Sequence, residues 1–337
     1  MRSVRVNFFG SAYGLENGNQ RQIEIVDAAT PKPGPDELLI HIKAAALNYA
    51  DIMQAGGTYY KGPKPPFMAG IEAAGEVVET GSGAEKFAIG SRVCAVARGG
   101  LFSEYVTVNK NLACALPEHM DYNLGAAFMV STLSAWGAIV KMAKAKRGEV
   151  ILIQSGAGGF GSAAIQISKM LGLRIFATAS TEEKKRKMIS LGADAVSGYD
   201  DFENEFKSFN GTQGPDIALE SVGGEIFKRT YKLLPPFGRI VVVGYTSLEI
   251  PVIDPVKLLF ETKTISGFHL NSFVQSVLSK KRENDELDDF FSDVFMRIKE
   301  KSFSVNIDKT FPLEKVHDAY RYLGERKSAG KVVLLID

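Results

Sequence analysis

Cysteine is almost missing from this chain of 337 residues. Cys94 and Cys114 are the only two, too few for a disulfide framework, and in a reducing compartment both are expected to be small buried residues. An excess of one charge is missing as well: 40 Lys and Arg against 39 Asp and Glu leave a net +1, which points to no polyanionic partner and no nucleic acid. No apolar run is long enough to span a bilayer, and the opening MRSVRVNFFG lacks the apolar stretch of a signal peptide, so a cytoplasmic address is expected. Repeats and low-complexity segments are absent. What remains is a balanced chain, 45% hydrophobic and too long for one core, for which two domains are the expectation.

One stretch organises the rest. From Ile151 to Gly161, ILIQSGAGGFG, a run of β-favouring apolar residues stops in a glycine cluster. Gly156, Gly158 and Gly161 fit the pattern GxGxxG, in which the first glycine allows a tight turn, the second lets backbone N–H groups approach a pyrophosphate, and the third lets a helix pack close to the strand. Ala164, Ile167, Ser168 and Leu171 recur at helical spacing, so a helix over 162–171 points its positive end at the loop and an anion is expected there. A glycine turn serving packing alone would read the same way locally.

Before this stretch, from Val4 to about Val108, short strand-like runs such as LLIHIKAAAL, AAGEVVET and SRVCAVA are broken by Pro and Gly, the texture of an all-β domain. After it, strands and helices alternate. ALPEHMDYNLGAAF leads into a helix running through Trp136 to Lys144, and the strands expected next are VILIQ, RIFATA, DAVSG, DIALES, RIVVVGY and TISGFHL, with TEEKKRKMISLGA the clearest helix between them. Six such strands make one doubly wound parallel Rossmann sheet over 127–270. The tail adds a charged helix around KKRENDELDDFFSDVFMRIKE and a last strand, KVVLLI.

The loop with its flanks, GEVILIQSGAGGFGSAAIQISK, resembles the extended fingerprint of the quinone oxidoreductase and zeta-crystallin family at Gly148, Leu152, Gly158, Gly159, Gly161, Gln166 and Lys169. LNYADIM, GIEAAGEVVETGSGAEKF and GSRV resemble the catalytic domain of medium-chain dehydrogenase/reductases, with Ser91 where the family usually has Asp. SVGGEIF, SGFHL and FPLEKVHDAYRYLGERKSAGKVVLL resemble the same oxidoreductases and, among them, the vesicle amine transport protein homologues. The resemblance spans nearly the whole chain. It implies an α/β protein with a GroES-like β-rich catalytic domain over 1–126 and 271–337 and a Rossmann NADPH-binding domain over 127–270.

Many members of that superfamily hold catalytic zinc, which needs Cys or His ligands around an open position. Where they carry the Cys this chain has Leu47-Asn48-Tyr49, and where they carry Gly-His-Glu it has Gly70-Ile71-Glu72. Cys94 and Cys114 cannot supply a four-cysteine lobe, and His41, His119, His269 and His317 show no ligand spacing; no metal is expected. Hydride transfer without one suits a quinone or an alkene conjugated to a carbonyl, whose oxygen takes up charge and needs hydrogen-bond donors. The resemblance puts Asn48-Tyr49-Ala50-Asp51 and Tyr59 beside the nicotinamide, with Asn48 and Tyr59 as the catalytic donors. The residues by themselves also allow Tyr59 as a loop anchor and Asp51 as the cap of a helix beginning at Ile52. A family Tyr is Met53 here, which implies a more apolar acceptor pocket.

NAD-selective folds place an acid at the tip of the second strand. This one ends Ala177-Thr178-Ala179-Ser180, where Ser180, Thr181 and Lys184 offer hydroxyl and ammonium groups to a ribose 2′-phosphate. Ser180 and Glu183 could equally form a capping box with Lys184, Lys185 and Lys187 on a solvated face. The resemblance assigns Lys184 and Tyr199 to the phosphate and extends the cofactor contacts to Ala157, Gly159, Phe160 and Gly244. The function implied is NADPH-dependent reduction of quinones or α,β-unsaturated carbonyls, without zinc, with the nicotinamide between the domains. The alternative is an NADPH-binding protein with a lipid-handling, structural or RNA-binding role. A homodimer is expected through TISGFHL, an edge strand that carries no Pro, charge or other device to blunt it.

Overall fold

Among the described residues, short apolar runs broken by Pro and Gly become eight strands before residue 116: β1 (Arg2–Val6), β2 (Ile23–Asp27), β3 (Glu37–Leu47), β4 (Phe67–Met68), β5 (Glu72–Thr80), β6 (Arg92–Val96), β7 (Tyr105–Asn109) and β8 (Ala113–Ala115). The computed structural model describes residues 1–10, 21–279 and 285–336. The alternating segment supplies β9 (Val150–Ile153), β10 (Arg174–Thr178), β11 (Ala195–Ser197), β12 (Ile217–Glu220), β13 (Arg239–Val242) and β14 (Thr264–Gly267), and the tail adds β15 (Ile307–Pro312) and β16 (Lys331–Leu335). These elements gather into two units, one of 1–130 with 274–337 and one of 131–273.

In the first unit β1 lies between β2 and β4, and a larger sheet runs β15-β16-β3-β5-β6-β8, with β7 also on β3. The eleven-residue β3 is its centre. β5 covers one side of it, while the other is shared by β7 along Glu37–His41 and by β16 along Ala44–Leu47. Leu38, Ile40, Ile42 and Leu47 are therefore buried with Val4, Ile23, Phe102 and Tyr320. Cys94 and Cys114 face each other across β6 and β8. Cys94 is buried, but Cys114 is only half-buried because β8 ends the sheet. The turn at Ser91 closes without the family Asp: its N–H donates to Ala88 O and its C=O accepts Val77 N–H. The tail helix Asp285–Lys299 belongs to this unit, where Phe291 and Phe295 pack on Phe128.

The second unit is the expected doubly wound sheet, six parallel strands in the order β11-β10-β9-β12-β13-β14. Its central strands VILI and IALE are buried along their whole length, as a sheet with helices on both faces requires. One boundary differs from the sequence reading. TISGFHL stops as a strand at Gly267, because Phe268 turns its ring onto Gly137, where a side chain would collide with it, and Leu270 begins the helix Leu270–Ser279.

An aromatic cluster holds this unit together. The rings of Phe176 and Phe206 meet edge to face at 5.2 Å, and Phe209 lies 5.7 Å from Phe176 and 6.1 Å from Phe206. Phe206 is fully buried on the helix Phe202–Asn210. Phe206→Ala should lower the stability of the second unit by about 3–5 kcal/mol, measured by urea denaturation followed through a probe in that unit.

Candidate functional site

The glycine loop leaves β9 at Ile153 and enters the helix Gly159–Met170. Its three glycines do different work. A Cβ on Gly161 would stand 2.4 Å from Ser155 O and 2.5 Å from Gly156 Cα, and one on Gly156 would stand 2.4 Å from Met188 Sδ, so both are held to glycine by close packing. A Cβ on Gly158 would meet nothing nearer than Ser155 O at 3.9 Å. Gly158 is the N-cap of the helix, and no side chain caps it. Open approach to uncapped backbone N–H groups at the positive end of a helix is what a phosphate anion needs, and these residues fit one.

The sheet order places the topological switch between β9 and β12, and the cofactor residues expected from sequence lie along the carboxyl ends of the strands. Ser180 follows β10 and is exposed. The expected capping box at Ser180 is not formed: Thr181 is the N-cap of the helix Glu182–Leu191, its Oγ1 accepting the Lys184 N–H at 3.3 Å. The helix starts one residue later than read because Thr181, in an extended backbone conformation, aims its hydroxyl at the first turn. Lys184 is half-buried, while Lys185 is tied to Glu182 at 2.7 Å. Tyr199 follows β11, its C=O accepting Arg229 Nη1 at 2.7 Å. Gly244 follows β13, and a Cβ there would lie 3.4 Å from Ser221 O, so it sits against the loop that leaves β12.

In the first unit Asn48 is the N-cap of the helix Tyr49–Ala55. Asp51 is consequently in the first turn and is not the cap; its Oδ2 accepts the Asn48 N–H at 2.8 Å. The amide of Asn48 is held at both ends, Oδ1 accepting Lys331 Nζ at 2.7 Å and Nδ2 donating to Glu72 Oε1 at 2.9 Å. Lys331 also pairs directly with Glu72, and the two side chains are 5% and 1% exposed. The second oxygen of Glu72 accepts the Val130 N–H at 2.9 Å. Tyr59 stands in the turn after the helix, half-buried, its N–H on Met53 O at 3.1 Å and its ring against Gly62. Met53 is buried.

Glu72 and Lys331 are the site residues that sequence reading did not assign. They are distant in sequence and meet Asn48 only because β16, β3 and β5 are neighbours and all three residues fall at one end of those strands. The one signal available was a Lys and a Glu opening strands whose next residues are apolar, KVVLL and EAAG. The histidines each have a local partner: His41 stacks on Tyr105, His119 reaches Phe295 O, His269 Ser272 and His317 Ile23 O. Among the described residues no group of three His, Cys, Asp or Glu side chains is placed to hold a metal ion.

Two family models match the chain, the alcohol dehydrogenase GroES-like domain over residues 34–118 and the zinc-binding dehydrogenase over residues 159–286. Human quinone oxidoreductase is 29% identical over 340 residues, covering 100% of this chain and 98% of that protein. The human synaptic vesicle membrane protein VAT-1 homolog is 29% identical over 331 residues, covering 91% of this chain and 81% of the relative. Among solved structures, a mycobacterial protein complexed with NADPH superposes with a TM-score of 0.88 at 26% identity, and the quinone oxidoreductase of Thermus thermophilus, solved with and without NADPH, with 0.81 at 29%; each pair is covered end to end.

Asp51 gives the polar cluster a pH signature. Burial pushes its carboxyl up to about 7, against the Asn48 N–H and the Lys331 ammonium, which pull it down. An unfolded Asp titrates near ~4, so between roughly pH 4 and 7 the folded protein keeps a proton that the unfolded chain has lost, and stability falls as pH rises until it levels above about 7. Asp51→Asn removes this dependence, and relative to wild type the variant should gain about 3 kcal/mol between pH 5 and 8 in urea denaturation. Parallel stability curves would show that Asp51 titrates as an ordinary carboxylate.

Proposed function

We propose, from the premise that the chain belongs to the medium-chain dehydrogenase/reductase family among its quinone oxidoreductase-like members, that it is an NADPH-dependent reductase of quinones or α,β-unsaturated carbonyls that works without zinc. The observation that carries this reading is the open approach to Gly158 at an uncapped helix N-terminus. It is supported by the NADPH complexes of two structural relatives that match the chain over its whole length. When bound, NADPH supplies a hydride to an electron-poor carbon of the acceptor.

The chain's own residues do the rest. Backbone N–H groups of Ala157, Gly158, Gly159, Phe160 and Gly161 hold the pyrophosphate. Ser180 and Lys184 take the ribose 2′-phosphate at a strand tip that carries no acid, with Tyr199 assigned beside them and Gly244 beside the loop after β12. Asn48 and Tyr59 are the donors for the acceptor oxygen as charge develops on it. Asn48 Nδ2 donates to Glu72 Oε1 at 2.9 Å and, over a longer 3.4 Å, to the Ala46 C=O, and the longer bond is the one an acceptor oxygen would replace. With Leu47, Asn48 and Ile71 at the positions zinc relatives use for ligands, the nearest fixed positive charge is the Lys331 ammonium on Asn48 Oδ1.

The likeness to the synaptic vesicle membrane protein VAT-1 homolog favours a second reading, NADPH binding without turnover. Stoichiometric NADPH oxidation with 1,4-benzoquinone or a small enone, undiminished after dialysis against a chelator, is the outcome expected of the enzyme; NADPH binding with no oxidation across such a panel favours the other. Lys184→Ala should weaken NADPH by roughly ten- to a hundredfold through one lost charge-assisted contact and leave NADH nearly unchanged. Equal losses for both cofactors would make Lys184 a support of the fold.

A second copy of this chain is the partner we propose for the β14 edge. The Thr264 and Phe268 N–H groups donate inward to Gly238 and Val242, so by alternation the outward donors are those of Ile265 and Gly267. Near this strand Phe237, Val256, Leu259 and Phe260 are 79%, 60%, 73% and 82% exposed, large apolar side chains that a partner would cover. Light scattering should report a dimer, and Gly267→Pro, which deletes an outward donor, should shift it toward 36.6 kDa. A wild-type monomer at micromolar concentration would sink the proposal.

A further inference from the structure

Beneath the glycine loop runs a line of buried polar groups that neither strand pairing nor helix capping requires. Gln154, between β9 and the loop, is fully buried. Its Oε1 accepts the Thr178 hydroxyl at 2.6 Å and its Nε2 donates to Thr230 Oγ1 at 2.9 Å. Thr178 Oγ1 accepts the Ser155 N–H at 3.3 Å, and the Gln154 C=O accepts the Ser221 hydroxyl at 3.3 Å. Thr178 and Thr230 are themselves fully buried. The donors run one way, from Ser155 N–H to Thr178, from Thr178 to Gln154 and from Gln154 to Thr230.

At the far end stands Glu220, buried at the tip of β12, its Oε1 accepting the N–H groups of Val222 at 2.6 Å and Gly223 at 3.0 Å. Its Oε2 is buried without a hydrogen-bond partner. Burial pushes this carboxyl above its usual range, while the Gly223 and Val222 N–H groups and the nearby Thr230 hydroxyl pull it back. Desolvating so many polar groups costs more than filling the same volume with Leu and Val, unless the connection itself is useful.

What the line connects is the cofactor side of the sheet. It joins the tips of β9, β10 and β12 and the helix Gly224–Leu233, the elements on both sides of the topological switch. Thr178 grips the start of the loop twice, its hydroxyl on the Ser155 N–H and its carbonyl on the Gly156 N–H at 2.9 Å. Between those grips Ser155 is held at φ 58°, a left-handed conformation that a serine adopts only when its surroundings impose it.

We propose that Gln154 and Thr178 are positioning residues for the nucleotide: their hydrogen-bonded line sets the pitch of the glycine loop against the loop Ser221–Gly224, so that the backbone N–H groups at Gly158 are aimed before the pyrophosphate arrives. This rests on the reading of the loop as an NADPH site. Preorganisation of this kind acts on cofactor affinity and leaves the chemical step alone, which separates it from a role in folding.

The test titrates NADPH by its fluorescence into wild type, Gln154→Leu, Thr178→Val and Thr178→Ser, with melting temperatures and steady-state kinetics on 1,4-benzoquinone alongside. Gln154→Leu and Thr178→Val should each raise the Kd and KM for NADPH roughly tenfold, the worth of one net hydrogen bond. The kcat should stay within about twofold, and Thr178→Ser, which keeps the hydroxyl, should bind like wild type. If Gln154→Leu does not fold, Thr178→Val decides, because valine keeps the shape of the strand. A Thr178→Val protein that melts lower but binds NADPH with unchanged Kd would overturn the proposal and leave the line a structural one. A wild type that binds no NADPH would overturn the cofactor reading itself.

Discussion

The second unit depends on how closely one helix can approach the end of one strand. With no side chain at Gly156 or Gly161, the helix Gly159–Met170 comes within a Cβ radius of the turn that follows β9, and its first N–H groups open beside the strand tip. A larger residue at Gly161 would push into the backbone of Ser155 and Gly156, and one at Gly156 into the side chains of Met188, Ala177 and Ile165. That approach makes the remaining arrangement useful: it brings the positive end of a helix to the point where the strand order reverses, where loops from two strands face one space.

The first unit is held around a different constraint, a charge pair out of water. Lys331 and Glu72 have almost no exposure, and removing two ions from water costs several kcal/mol each unless every remaining donor and acceptor is met. Asn48 and the Val130 N–H meet most of them. The pair is thus weak evidence for stability and better evidence for definition. It fixes the amide of Asn48 in one orientation at the start of a helix, beside the Asp51 carboxyl that burial pushes up to about 7. A residue assigned to donate to an oxygen gains from being held this way, since no free energy is then spent on ordering it at the moment of reaction.

Both units bury unusual polar atoms, beneath the loop in the second and around Asn48 in the first, whereas in the second unit large apolar side chains near β14, Leu259 and Phe260 among them, remain in water. Water-exposed Phe260 and Leu259 on a helix as short as Pro255–Glu261 contribute nothing to the core of their own unit.

Much of this was legible in the sequence wherever the requirement is local. The three glycines of the loop, the six strands of the second sheet and the missing acid after Ala179 follow from backbone conformation, side-chain period and residue type within a few positions, and the structure holds all of them. Boundaries that depend on a single hydrogen bond were not legible: the caps at Thr181 and Asn48, and the end of β14 at Gly267, were decided by which side chain reached a free N–H or an open face. The tertiary structure alone decided the meeting of residues 48, 72 and 331, the line from Ser155 to Thr230, and which N–H groups of β14 face outward. Each of these depends on strand order and register, set by the summed burial of apolar faces far apart in the chain, and no short window of sequence carries that sum.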